Sequence, residues 1–163
     1  MDLNDNVAPN NERFNEMKST AKLAGLLYLL IALFGGFAFF GGFENLMIKG
    51  NAAITTNNIL ESEFIFRIGV LGDSFTFLGE IILTILLYKI FKPVNKTWSQ
   101  IAAFSRLAMT AMIGMNVINK LMALQLLSGG SYLSAFQPEQ LQALSMLFLN
   151  AYGYGSLVWG LFF

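Results

Sequence analysis

LAGLLYLLIALFGGFAFFGGF, Leu23–Phe43, runs for 21 residues without a charged side chain. At a rise of about 1.5 Å per residue, a helix of that length crosses a hydrocarbon core of roughly 30 Å. Soluble elements break their apolar residues with polar ones at the period of a helix or a strand; this block does not, and it predicts a transmembrane helix. It is too long for the apolar part of a secretory leader, and no small-x-small cleavage site follows Phe43. The Gly35-Gly36 and Gly41-Gly42 pairs permit a close helix approach or a kink.

Upstream, residues 1–22 are rich in Asp and Asn and poor in large apolar groups, which predicts a polar, solvated leader. Downstream, the same apolar pattern returns at about 64–88, 101–127 and 141–163. The fold class expected is therefore all-α, a polytopic transmembrane bundle of four spans over residues 23–163. Between the spans, Asn51 is placed to cap a short interfacial helix from Ala52 to Leu60. Lys89, Lys92, Pro93, Asn95 and Lys96 form a basic turn, and Ser128-Gly129-Gly130-Ser131 breaks the third span. Gln137-Pro138-Glu139 is a helix start, with proline in the first turn and an acid near the positive dipole end.

Composition agrees: 55% of the residues are hydrophobic and 12% charged, where a soluble domain carries about a quarter charged. The net charge is zero and no basic tract occurs, so nucleic acid is not an expected partner; the lipid bilayer is. Cysteine and histidine are absent, which removes disulfides, thiol nucleophiles and Cys/His zinc sites. Neither a metal nor a cofactor is expected. Under the positive-inside rule, Arg13, Lys18, Lys22, Lys89, Lys92 and Lys96, set against Lys49 and Arg67, place the N-terminus and the 89–100 loop in the cytoplasm.

Ionisable residues inside the apolar runs carry the functional signal, because each costs about 2.5 to 3.5 kcal/mol near the centre of a span. Span two holds Asp73 and Glu80, which share a face with Gly69, Gly72, Thr76 and Gly79, small residues suited to helix packing. Span three holds Arg106, Asn116, Asn119 and Lys120 on one broad arc. For antiparallel spans centred near residues 76 and 114, residue numbers at equal depth sum to about 190. Asp73 with Lys120 and Glu80 with Arg106 both meet that condition within a turn. These six residues form a candidate polar seam between spans two and three. Such a seam either binds or passes a small solute or ion, or merely holds the helices together in a structural or interaction subunit. An intramembrane enzyme is the third alternative, weak because a carboxylate pair without a substrate cleft is a poor signal for acid/base chemistry; no catalytic residue is assigned. A homo-oligomer stays open as a partner.

Several short motifs resemble a known family: Leu23-Ala24-Gly25-Leu26-Leu27-Tyr28-Leu29, Phe66-Arg67-Ile68-Gly69, Lys92-Pro93-Val94-Asn95, Phe104-Ser105-Arg106-Leu107, Leu127-Ser128-Gly129-Gly130 and Ala151-Tyr152-Gly153-Tyr154-Gly155. In order and spacing they are similar to the bacterial membrane family catalogued as domain of unknown function 4386. The resemblance implies a bacterial cytoplasmic-membrane protein, usually of about six spans, and brings no activity or ligand. Against that pattern, and because Trp159, Leu161 and Phe162 are followed by no anchoring Lys or Arg, the sequence is expected to be the front part of a longer protein.

Overall fold

The structure, a computed structural model, describes residues 10–161. Residues 1–9 of the expected leader, Phe162 and Phe163, and the side chains of Trp159 and Leu161 on which the expected truncation rests, lie outside the described residues. In the described residues five α-helices follow one another: α1 Asn10–Gly36, α2 Ala52–Glu61, α3 Glu63–Phe91, α4 Lys96–Ser128 and α5 Pro138–Leu161. Among the described residues there is no strand. The fold is all-helical.

Among the described residues, three stretches are long and apolar enough to cross a membrane: Glu12–Glu44, Glu63–Phe91 and Lys96–Ser128. The fourth expected span falls on α5, which is not among these three stretches. The first stretch begins earlier than the sequence suggests. From Asn10 onward the leader is helical and continuous with the span, and the side chains of Glu12 to Ser19 are exposed, because Glu12, Arg13, Glu16 and Lys18 are tolerated on a solvated helix face.

Local chemistry sets the other ends. Asn51 accepts from the Ile54 N–H at 3.0 Å and starts α2, and Asn95 accepts from the Trp98 N–H at 3.1 Å and starts α4. Both side chains satisfy an amide that has no partner within the helix. After α4 the chain turns through Gly129 at φ 71°, a backbone conformation that glycine adopts without strain. A short 3-10 turn, Ser131–Ala135, leads on to Pro138.

The Gly pairs of the first span mark a change of winding. Beyond Gly36 the helix widens into a π-helical segment, Phe37–Glu44. That segment and α1 pack along α3, α3 packs on α4, and α4 on α5, while α2 lies against α5. Phe43, Ile59, Phe66, Ala123, Leu124 and Leu149 form the larger apolar core, near the α2 end, and Ala24, Ile31 and Leu83 a smaller one toward the other end. The distribution of residues is inverted relative to a soluble protein. Phe104 is 71% exposed and Leu157 70% exposed, whereas Glu80 and Lys120 are fully buried. Water would reverse that arrangement, and a bilayer favours it.

Candidate functional site

Four of the six seam residues meet as two ion pairs. Lys120 Nζ lies 2.7 Å from Asp73 Oδ2, and Arg106 Nη2 lies 2.5 Å from Glu80 Oε2. These are the partners that the depth rule gives. Asp73 stands ten residues into α3, about 15 Å from its start, so neither pair can reach an aqueous end by stretching its side chains.

Each pair recruits helices that the sequence does not indicate. Lys120 Nζ also donates to the backbone carbonyl of Ala38, at 3.1 Å, within the π-helical segment. It sits 4.1 Å from the centre of the Tyr152 ring and 5.6 Å from that of Phe43, where a cation is attracted to the aromatic face. The Tyr152 hydroxyl is 3.5 Å from Asp73 Oδ1. The cation is thus caged by four segments: the π turn, α3, α4 and α5. Arg106 donates to the Tyr28 hydroxyl of α1 at 2.9 Å as well as to Glu80. This second network is less completely bonded, since Glu80 Oε1 and Arg106 Nε are buried without a hydrogen-bond partner among the described residues.

The small residues of α3 face α1 rather than α4. A methyl group built on Gly69 would lie 3.0 Å from Gly42 Cα, and one on Gly72 would lie 2.9 Å from the Phe34 carbonyl oxygen. Gly79 meets Ile31, and Thr76 meets Gly35. Both ion pairs join α3 to α4, and Tyr28, Ala38 and Tyr152 add the first span and α5 to them. Glycine draws the first span against α3, and the acids emerge beside that contact toward α4. Asn119, expected in the seam, is only half-buried and makes no hydrogen bond to the other five. It stands on the same helix but turns away from both ion pairs.

The open space lies elsewhere too. A cleft of about 800 Å³ separates the first span from α5. Phe39, Phe40, Leu149 and Leu157 contribute to its walls, Asp73, Thr76, Asn116 and Ser156 supply polar groups, and Glu44, Lys49 and Gly50 stand where it meets the α1–α2 connection. Asn116 is 7% exposed, and its Nδ2 donates to Ser156 Oγ at 3.4 Å. Gly155 gives the Asn116 amide its room, because a methyl group there would collide with it. Arg106 borders a separate apolar pocket of about 310 Å³ beside Tyr88 and Trp98. The two ion pairs therefore differ: Asp73 opens on the large cleft, while Glu80 does not.

Sequence reasoning missed Tyr28, Ala38 and Tyr152. A tyrosine in the middle of an apolar block is a signal for the first and last, since a buried hydroxyl needs a partner. Nothing in the sequence singles out one backbone carbonyl. Among the described residues, no cluster of three or more carboxylates is placed to hold a metal.

Compared with known families, residues 23–163 match the one described as Domain of unknown function (DUF4386). No curated protein and no solved structure matches the chain.

Proposed function

The chain belongs to the family described as a domain of unknown function, DUF4386, and on that premise we propose that it is an integral membrane protein that binds a small solute in the cleft between its first span and α5. In this reading α5 is a fourth crossing. Its 24 residues are about 36 Å long, enough to span. It runs antiparallel to α4, and the acid in its first turn, Glu139, lies at the end where it starts. The basic residues of the leader and of the 89–96 turn put the N-terminus in the cytoplasm of a bacterial cell, with the mouth of the cleft on the outer face.

The observation that carries the proposal is the 800 Å³ cleft with the buried Asp73 carboxylate and the Asn116 amide at its floor. A concave, mostly apolar space with a few convergent polar groups is how small-molecule sites are built, and an intramembrane carboxylate is costly to maintain without use. The Glu80–Arg106 pair has a different role. Away from the cleft and tied to Tyr28, it holds α1, α3 and α4 together. No catalytic residue is assigned.

The chain lacks cysteine, so introduced thiols report access directly. Cysteine at Thr76, Asn116 or Ser156 should react with a membrane-impermeant thiol reagent applied from the outer face, at least tenfold faster than cysteine at the fully buried Leu83. Equal, slow reaction at all four positions contradicts a solute-accessible cleft. Faster reaction from the cytoplasmic side contradicts the orientation.

A further inference from the structure

Most of the hydrogens at the floor of the cleft are already committed. The Thr76 hydroxyl donates to the Gly72 carbonyl at 3.0 Å, and the Ser156 hydroxyl to the Tyr152 carbonyl at 2.9 Å. One hydrogen of Asn116 Nδ2 goes to Ser156 Oγ, and two of the three on Lys120 go to Asp73 and the Ala38 carbonyl. What remains is mostly acceptor capacity: the carbonyl oxygen of Asn116, which has no hydrogen-bond partner among the described residues, lone pairs on Thr76 and Ser156, and Asp73 Oδ1, whose hydrogen bond from the Tyr152 hydroxyl is long at 3.5 Å. The same accounting assigns the amide its orientation. Turned over, Asn116 would set its oxygen against a Ser156 oxygen whose hydrogen is engaged elsewhere.

Charge narrows the ligand further. The ionisable groups bordering the cleft are Glu44 and Lys49 at its mouth and Asp73 at its floor, and Asp73 is neutralised by Lys120. Their sum is zero, so a charged ligand would stand uncompensated at membrane depth. The walls are aromatic and aliphatic.

We infer that the cleft takes an uncharged amphipathic molecule, an alcohol, phenol or amide with an elongated apolar body, whose O–H or N–H donates to Asn116 Oδ1. The apolar body lies between Phe39 and Phe40 on one side and Leu157 on the other. This assignment rests on the cleft being a binding site, and it adds the class of ligand.

Three photoreactive probes of equal chain length test it on the whole chain in phosphatidylcholine nanodiscs: a diazirine-bearing twelve-carbon alkanol, the matching carboxylate and the matching alkylammonium. Labelled residues are located by peptide mass spectrometry. The alkanol should label the π-helical segment and the α5 wall several-fold more than either charged probe, a comparison that needs no variant. Asn116→Leu should lower alkanol labelling by about five- to tenfold, the worth of one hydrogen bond, and Asn116→Asp should shift preference toward the alkylammonium. If the charged probes label the cleft as well as the alkanol, or Asn116→Leu leaves alkanol labelling unchanged, the ligand class is wrong although the cleft binds. If no probe labels the cleft, the binding site itself is wrong.

Discussion

Lys120→Met should sharply reduce accumulation of the protein in membranes, and Asp73→Asn combined with it should restore much of the loss. Lys120 is fully buried and is the ion-pair partner of Asp73. Methionine keeps most of the volume but leaves a carboxylate at membrane depth without its cation, and it withdraws the donor from the Ala38 carbonyl. Stranding one member of a buried pair typically costs about 3 to 5 kcal/mol, a large share of the stability of any fold. Removing both charges lifts that penalty and leaves the lost packing and the lost donor to the Ala38 carbonyl. The same cycle on Glu80→Gln and Arg106→Met should run in the same direction with a smaller amplitude, because Arg106 is partly exposed. Accumulation of both Asp73–Lys120 single variants at the parent level would show that the pair is solvated and not structural. A double variant as poor as the worse single would show that the two residues do not act as a pair.

Gly69→Val is expected to be the second most damaging change. Where the first span crosses α3, a methyl built on Gly42 would stand 2.8 Å from Gly69 Cα, and the reciprocal distance is 3.0 Å. Backbone faces backbone here, so no rotamer change can make room and the helices must separate. Overpacking of this sort costs about 1 to 3 kcal/mol. Separation would also pull the π-helical segment, and with it the Ala38 carbonyl, away from Lys120. Gly25→Ala is the matched control, because nothing lies within 4 Å of a methyl there. Thermal unfolding of the purified protein in one detergent, followed by the fluorescence of its own tryptophans, should show Gly69→Val well below the parent and Gly25→Ala level with it. Equal midpoints for all three proteins would remove the close crossing.

Much of this arrangement can be read from the residues alone. Long apolar runs locate the helices because a bilayer tolerates little else, and the depth of a residue in an antiparallel pair follows from the rise of the helix. For that reason Asp73 and Lys120 could be matched across 47 positions of sequence. A helical wheel, however, gives a face and not the neighbour it meets. Gly69, Gly72 and Gly79 share a face with the acids, and only the packed structure shows that they meet α1 while the acids reach α4. Asn119 failed for a related reason: a broad polar arc on one helix extends beyond what a single neighbour covers. The π-helical winding of Phe37–Glu44 could not be foreseen, since Phe-Ala-Phe-Phe-Gly-Gly-Phe satisfies an ordinary apolar helix equally well. The cleft depends on how far α5 stands from the first span, which periodicity within either helix does not encode.

The most direct measurement is a density map of the protein extracted with its native lipids into nanodiscs, without added ligand. The account predicts elongated non-protein density along the cleft, held between Phe40 and Leu157 and ending in hydrogen-bond contact with Asn116. A map in which α5 closes onto the first span, with Asn116 packed against protein and the cleft gone, would contradict it.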